Sequence, residues 1–166
     1  MSDALQELET WNDALTALQL LQIDPHGFGG IWLRAPFGPV REQWLRQLAR
    51  TGLNTIKLPG SVDLERLLGG IDLSLTLQTG QLHLQSGLLA QAHQGLVCIS
   101  MAERFPASLM APLTQAMDTH SLPPLRMSDS ANPPAQTAFG VLALDESTGD
   151  DPPMSPALQE RLGLWL

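Results

Sequence analysis

The chain has 166 residues, a formal net charge of -8 and an isoelectric point near 4.7. That length suits one domain with a single hydrophobic core. Only nine Lys and Arg residues stand against 17 Asp and Glu residues, which argues against nucleic acid as a partner because such a surface needs clustered basic side chains.

The amino-terminal segment and the cysteine content predict a cytoplasmic protein. Residues 1–11 carry neither the basic region nor the continuous apolar stretch of a signal peptide, and no window approaches the length of a membrane span. Cys98 is the only cysteine, so the chain has no internal disulfide and fits a reducing compartment. Its apolar surroundings indicate a core thiol rather than a nucleophile.

The first half of the chain alternates helices with short strands. Ser2 followed by leucines at helical spacing predicts an opening amphipathic helix. Pro39 suits the first turn of a second helix. In chain order the predicted elements are a helix from Ser2 to about Gln22, a strand from Gly30 to Arg34, a helix from Pro39 to Gly52, a strand over 54–58 and a short helix over 63–70.

Two later runs, 95–100 and 139–144, are continuously apolar. Continuous apolar runs are typical of strands buried on both faces, whereas a strand with one wet face alternates apolar and polar residues. The sequence therefore predicts an α/β fold in which helices flank a parallel sheet.

The remaining segments predict a helix, a long loop and a final strand. A helix begins at Pro106 and meets Pro112, where we expect a kink or a restart. Residues 121–137 are rich in Pro and Ser and predict a surface excursion, with an irregular hairpin as one form. A short helix from Ser155 leads into an apolar strand inside which the sequence stops, so we expect a fragment of a longer polypeptide.

Residues 32–45 have the layout of a phosphate-binding loop without its key residues. A P-loop reads Gly, four residues, then Gly-Lys-Ser/Thr between a strand and a helix. Gly38 remains in the loop, but Ala35 replaces the first glycine, Val40 after Pro39 replaces the second, and Arg41 and Glu42 replace the lysine and the hydroxyl residue. Three of these changes oppose binding of a triphosphate: the branched side chain of Val40, the amide donor that Pro39 lacks and the carboxylate of Glu42.

Together these segments resemble the N-terminal AAA+ domain of the D-type subunit of magnesium chelatase, over about residues 18–166. The motifs that carry the resemblance are Leu58-Pro59, Glu65-Arg66-Leu67-Leu68-Gly69, Ile71-Asp72-Leu73, the Gly-Leu-Leu-Ala-x-Ala-His-x-Gly run from Gly87 to Gly95, and the segment 155–164. The resemblance implies a P-loop NTPase-like AAA+ fold. It also implies that a helical lid, a linker and an integrin-I-like domain would follow in the full polypeptide.

Residues 71–85 leave two interpretations open. Strict alternation of leucines, continued after Gly80, predicts a β-hairpin. The resemblance implies instead a helix or turn over 72–78 and a strand around 81–84, and the low content of β-branched residues permits this.

The parts of an AAA+ site implied by the family can be compared with this chain one by one. Ser100 and Met101 stand where an acidic pair would hold magnesium and activate water. Glu103 lies two residues farther on, and we expect it to point elsewhere. Asp145 and Glu146 stand where the family has a polar sensor, and they add negative charge. We therefore expect no catalytic residue acting in cis, no bound nucleotide and no metal site in this domain.

Arg161 matches the family's arginine that reaches into the neighbouring subunit of the ring. Without the resemblance, a solvated arginine at a helix end would be the better interpretation. The resemblance implies a non-hydrolysing scaffold that assembles with the I-type ATPase subunit, which uses ATP and Mg²⁺, and with the large porphyrin-binding H-type subunit. Its expected context is Mg²⁺ insertion into protoporphyrin IX in chlorophyll or bacteriochlorophyll synthesis.

Two other functions remain open from the sequence. One is a nucleotide-binding or weakly active ATPase in which Arg41 anchors phosphate. The other is an AAA-derived adaptor from an unrelated system.

Overall fold

The computed structural model describes residues 2–122 and 136–166, with side chains from residue 8 onwards. The elements, in chain order, are α1 (Ser2–Ile23), β1 (Gly30–Arg34), α2 (Pro39–Arg50), β2 (Thr55–Leu58), α3 (Leu64–Leu68), β3 (Gly69–Ile71), α4 (Leu73–Thr79), β4 (Leu84–Ser86), α5 (Leu88–Gln91), β5 (Leu96–Ser100), a 3-10 turn (Ala102–Arg104), α6 (Ala107–Thr119), β6 (Gly140–Asp145), α7 (Pro156–Gln159) and β7 (Leu164–Trp165). The alternation of helix and strand agrees with the prediction from sequence.

Five strands form one parallel sheet in the order β2-β5-β6-β1-β7. The two continuously apolar runs became β5 and β6, which lie side by side near the centre. A parallel sheet is buried on both faces because its crossover helices cover them. The predicted α/β fold is therefore confirmed.

Side chains of alternate strand residues fill two separate cores. On one face, Leu96 and Cys98 of β5 pack with α1 and α2. Trp44 of α2 is buried in this core. On the other face, Val97 and Ile99 pack with α3, α5, α6 and α7. Burial raises the pKa of the Cys98 thiol, so this residue is a core thiol as predicted.

Residues 71–85 fold as a helix between two short antiparallel strands. Asp72 caps α4 by accepting a hydrogen bond from the Leu75 amide, and Gly80 ends the helix in the left-handed conformation. The predicted helix over 72–78 is confirmed, and the predicted continuous hairpin is wrong. The two caps stabilise a helix here, although the leucines of α4 whose alternation suggested a strand stay exposed. The strand lies at Leu84–Ser86 and pairs with β3, slightly later than predicted.

Two further predictions concern the segment around α6. The helix does not restart at Pro112 but continues through it. Most of the predicted surface excursion over 121–137 lies outside the described residues, and Ser121 and Gln136, within its two ends, form an antiparallel bridge. No helix in the described part of the chain is long and apolar enough to cross a membrane.

Candidate functional site

The P-loop remnant lies at the carboxyl edge of the sheet, between β1 and α2. Helix α2 begins at Pro39, and Gly38 precedes it with extended backbone at φ 171°. A side chain at Gly38 would approach nothing more closely than the Pro36 carbonyl oxygen at 4.0 Å. The geometry therefore does not require glycine here. Val40 is exposed, and Glu42 lies in the first turn of α2 with partial exposure.

Arg41, at the position of the P-loop lysine, turns its guanidinium into the protein. The residue is 7% exposed. Its Nη1 donates to the Glu146 carboxylate at 2.6 Å and to the Ala35 carbonyl at 3.3 Å, and its guanidinium lies 5.2 Å from the centre of the Phe37 ring. The charge that would face a phosphate in a P-loop thus has an internal carboxylate as its partner.

The Arg41 Nε–H is a buried donor without an acceptor among the described residues. An unsatisfied buried donor costs about 1–3 kcal/mol. The charge of Arg41 therefore has a partner, but its guanidinium is incompletely hydrogen-bonded.

Glu146 links Arg41 to a third segment of the edge. Its backbone amide donates to the Glu103 carboxylate at 3.3 Å. Glu103, in the 3-10 turn after β5, was expected to point away from the position of the acidic pair, and its carboxylate is buried at the end of β6. Arg104 beside it contacts Glu103 and Asp151.

Asp145, at the end of β6, is buried and engaged by neighbouring donors. The Trp32 indole donates to Oδ2 at 2.9 Å and the Ser147 amide to Oδ1 at 2.8 Å. Burial alone would raise the pKa of this carboxyl, but the hydrogen bonds from Ser147 and Trp32, with the charge of Arg34, outweigh burial and lower the pKa. Asp145, which the resemblance matches with the family's polar sensor, is thus an ionised structural group.

Ser100 and Met101 lie at the same edge, at the carboxyl end of β5. Ser100 pairs in register with Leu144 of β6, so it is next to the residues that end β6. Both residues are exposed, and Met101 adopts the left-handed conformation with φ 51°. Neither side chain carries the carboxylate that the position would need for magnesium. Among the described residues, no group of three His, Cys, Asp or Glu side chains is arranged to hold a metal ion.

Arg161 lies at the opposite, amino edge of the sheet, after α7. Its segment packs on the loop before β1: the Gly163 amide donates to the Phe28 carbonyl at 2.8 Å. Gly29 has φ 66°, and any side chain there would collide with the Arg161 carbonyl oxygen. The tight approach that fixes the backbone of Arg161 thus depends on a glycine.

The Arg161 guanidinium is held in a fixed orientation at this surface. Nε and Nη2 donate to the two carboxylate oxygens of Asp118 at 2.7 and 2.6 Å, and Nη1 donates to the Ala157 carbonyl at 2.6 Å. The hydrogen bond between the two side chains lowers the pKa of Asp118 and raises the pKa of Arg161. A guanidinium has five N–H donors, so these three bonds leave two. The Arg161 side chain stays 30% exposed.

The structure separates the predicted site residues into two groups. Gly38, Arg41, Glu42, Ser100 and Met101 lie at the carboxyl edge, and Arg161 lies at the amino edge. Sequence reasoning missed Glu146 as the partner of Arg41, although parallel strands end at one edge and a charged residue after β6 could have been paired with the loop after β1. It also missed Asp118 as the partner of Arg161, for which the sequence carries no local signal.

Comparisons with known proteins identify magnesium-chelatase subunits as relatives of this chain. The chain is 33% identical over 153 residues to the magnesium-chelatase 60 kDa subunit of Rhodobacter capsulatus, covering 91% of the chain and 24% of that subunit. It is 31% identical over 159 residues to the 60 kDa subunit of Cereibacter sphaeroides, covering 96% of the chain and 25% of that subunit. A 67 kDa subunit from Chlorobaculum parvum is 33% identical over 107 residues, 63% of the chain and 17% of that subunit. No protein-family model matches.

The fold is also found in a known assembly. A chain in the complex between subunits BchI and BchD of magnesium chelatase, based on cryo-EM reconstruction at 7.5 Å, superimposes with a TM-score of 0.67 at 21% identity. The match covers 92% of this chain and 56% of that chain. This similarity supports the AAA+-like, P-loop NTPase fold predicted above. The chain spans about a quarter of the length of the 60 kDa relatives, and it belongs to the family of the magnesium-chelatase 60 kDa subunit.

Proposed function

We propose that this chain is a non-hydrolysing AAA+ scaffold within a magnesium chelatase. In this proposal it assembles with the I-type ATPase subunit and contributes to a complex with the large porphyrin-binding subunit that inserts Mg²⁺ into protoporphyrin IX, in chlorophyll or bacteriochlorophyll synthesis. ATP and Mg²⁺ are used by the ATPase subunit, and this domain binds no nucleotide itself. The observation that carries the proposal is the placement of Arg161 at the edge opposite the P-loop remnant.

The carboxyl edge supports the absence of hydrolysis in cis. Arg41 donates to Glu146, and Asp145 accepts from Trp32 and Ser147. Hydrolysis needs a cation on the phosphates, carboxylates for the magnesium and a means of orienting water. Here the cation and the carboxylates already have partners within the chain, and Ser100 and Met101 supply no replacement.

The amino edge supports a contribution in trans. An arginine that stabilises a neighbour's phosphoryl transfer must lie far from its own nucleotide position, keep a fixed direction and retain free donors. Arg161 lies across the sheet from Arg41, is fixed by Asp118 and Ala157, and keeps two N–H donors beyond the bonds described above. These features support its role as a trans-acting arginine finger.

The experiment is a titration of the activity of the ATPase subunit with the complete protein, carrying either the natural residue or Arg161→Ala. We expect Arg161→Ala to lower the stimulated turnover by at least about tenfold, since arginine fingers contribute that much or more to phosphoryl transfer. Size-exclusion chromatography tests whether the assembly persists. The matched control is Arg46→Ala, which removes an exposed arginine that bonds Gln43 on the outer surface of α2.

Each alternative predicts a different result. If the isolated chain binds ATP and Arg161→Ala leaves partner turnover unchanged, the chain is a nucleotide-binding domain with an unusual loop. If it neither binds ATP nor assembles with the ATPase subunit, it is an adaptor of another system. Assembly with turnover that depends on Arg161 and not on Arg46 supports the scaffold.

A further inference from the structure

The unit formed by β3, α4 and β4, which we call the leucine module, carries its apolar side chains on the outside. The His83 amide donates to the Thr76 hydroxyl at 3.0 Å, and the His83 Nε2 lies 2.8 Å from the Thr79 hydroxyl. Polar side chains of α4 thus bond to the returning chain. Leu73 and Leu77, four residues apart and so on one side of the helix, are 66% and 82% exposed. A surface helix normally buries its apolar side, so α4 has the reverse arrangement.

The base of the leucine module is fixed by close backbone packing. β3 and β4 pair in antiparallel register, and the Asp72 amide donates to the His83 carbonyl at 2.9 Å. A side chain at Gly87 would collide with the backbone of Leu68 and Gly69, so the chain after β4 lies directly against the start of β3. The leucines are therefore presented on an ordered backbone, which lowers the entropic cost of covering them with a partner.

The exposed surface of the leucine module is apolar and uncharged. Residues 73–102 contain no Asp, Glu, Lys or Arg, although these types make up 16% of the chain. Half of the large apolar side chains that are exposed in the described structure lie within residues 64–84: Leu64, Leu73, Leu75, Leu77, Leu82 and Leu84. Such a concentration of exposed apolar side chains is typical of an interaction surface.

Charges beside the leucine module indicate the chemistry of the partner. A cavity of about 510 Å³ at its base is lined in part by three carboxylates and one guanidinium, those of Asp63, Glu65, Asp72 and Arg66. The whole chain has a net charge of -8. Charge complementarity therefore favours a partner with an apolar centre and basic side chains around it. It disfavours a second copy of this chain and an anionic lipid surface, because both carry negative charge.

We propose that the leucine module is a docking surface for a protein outside the ring, which offers it an apolar groove with a basic rim. The module contains neither Arg41 nor Arg161, so the proposed contact with the ATPase subunit does not need it. Within the proposed complex the partner outside the ring is the large porphyrin-binding subunit. The inference thus rests on the proposed function for the identity of its partner, and it adds the surface that this partner contacts.

The test measures binding of the complete protein to the immobilised large subunit by biolayer interferometry. We expect Leu73→Gln/Leu77→Gln to raise the Kd at least about tenfold, since burying even one leucine changes an equilibrium constant by about that factor. Glutamine has a helix propensity close to that of leucine, so the unfolding midpoint should stay unchanged. The matched control is Leu8→Gln/Ile23→Gln, which changes two α1 residues that are 60% and 79% exposed.

A second pair of variants tests the basic rim. We expect Glu65→Gln, which removes an exposed carboxylate beside the leucine module, to raise the Kd by about threefold and to weaken its dependence on salt. Glu9→Gln removes an exposed carboxylate from α1 and should change neither quantity. Equal effects of these two substitutions would contradict a basic rim.

The outcomes for the leucines decide the proposal. Weaker binding confined to Leu73→Gln/Leu77→Gln, with a normal unfolding midpoint, supports the docking surface. It is overturned if the natural protein does not bind the large subunit or if the two double variants bind equally. If the double variant unfolds, Leu77→Gln alone replaces it, and unchanged affinity of that folded variant also overturns the proposal.

Other occupants of the leucine module are tested with the same variants. Light scattering measures self-association, and sedimentation with phosphatidylcholine vesicles measures binding to lipid. Self-association, lipid binding or assembly with the ATPase subunit that only the Leu73→Gln/Leu77→Gln variant loses would overturn the assignment to the large subunit. The Arg161 titration contains only the ATPase subunit, so stimulated turnover that depends on Arg161 without binding to the large subunit would refute this inference and leave the scaffold proposal intact.

Discussion

The two edges of the sheet carry similar charged residues in opposite situations. At the carboxyl edge, Arg41 and Asp145 are buried and bond to side chains of other segments, Glu146 and Trp32 respectively. At the amino edge, Arg161 is held by an exposed carboxylate and remains partly accessible. The carboxyl edge therefore differs from a P-loop in that its charges are satisfied within the chain, as well as in the residues it lacks.

This contrast predicts different consequences of substitution at the two edges. Changes among the buried groups of the carboxyl edge should alter stability, because removing one partner leaves a buried charge or donor unpaired. Changes to the Arg161–Asp118 pair at the amino edge, whose side chains are 30% and 50% exposed, should leave stability almost unchanged and act on a partner. The backbone beneath Arg161 is the exception, since it is tightly packed.

The largest effect is expected from Gly29→Ala. A side chain at this positive-φ position would be strained and would collide with the Arg161 carbonyl, so we expect a loss of about 3 kcal/mol in the free energy of unfolding. Urea unfolding followed by circular dichroism measures it. Gly149→Ala is the control, because a side chain at Gly149 has nothing within 4 Å. Equal stabilities of the two variants would show that the backbone of residues 160–163 does not pack tightly against the loop before β1.

The second effect concerns the internal ion pair of the carboxyl edge. We expect Glu146→Gln to lower the free energy of unfolding by about 2 kcal/mol, because it leaves the buried Arg41 guanidinium without a countercharge. A double-mutant cycle with Arg41→Met, measured by urea unfolding, should give a coupling energy well above experimental error. Additive effects of the two substitutions would mean that the contact between Arg41 and Glu146 contributes nothing to the free energy of unfolding.

The third effect is the pH dependence contributed by Asp145. Its pKa in the folded chain is lowered, so its stabilising contribution is present above the ordinary aspartate pKa of about 3.9 and is lost as the pH falls through the lower folded value. Asp145→Asn should therefore cost about 1.5 kcal/mol at pH 7 through weakened bonds to Trp32 and Ser147, and less at pH 3. A difference between the two proteins that does not change with pH would contradict this assignment.

The sequence predicted the strands and the class of fold because these depend on local patterns. The continuous apolar runs identified β5 and β6. For residues 71–85 the leucine alternation alone predicted a hairpin, and the helix was indicated only by the resemblance, although the caps Asp72 and Gly80 stand in the sequence. The P-loop substitutions could be recognised for the same reason, since each is a departure at a fixed spacing.

No local pattern in the sequence indicates the pairings of the site, because they join distant parts of the chain. Arg41 and Glu146 are 105 residues apart, and Arg161 and Asp118 are 43 apart. Sheet order alone decides that the loop after β1 faces the end of β6. The contact of Glu103 with the end of β6 follows a left-handed backbone conformation at Met101. Methionine rarely adopts this conformation, and no sequence pattern here indicated it.

The smallest effect on stability is expected from Asp118→Asn, and it tests the contrast between the edges most directly. Asp118 is exposed, so losing its charge should leave the thermal unfolding midpoint close to that of the natural chain. The same substitution frees the Arg161 guanidinium from its bidentate contact. In the complete protein we expect it to lower the stimulated turnover of the ATPase subunit by less than Arg161→Ala does, because a misdirected arginine still carries its charge.

Asp13→Asn, which removes an exposed carboxylate from α1, is the control for the change in charge. If Asp118→Asn and Asp13→Asn leave turnover equally unaffected while Arg161→Ala abolishes stimulation, the charge of Arg161 matters and its fixed direction does not. If Asp118→Asn instead unfolds the chain, the Arg161–Asp118 pair stabilises the fold. The proposed difference between the two edges, with charges paired within the chain at one and an arginine accessible to a partner at the other, would then be wrong. If Asp118 positions Arg161 for action on a neighbouring subunit, Asp118→Asn should have normal stability and reduced turnover.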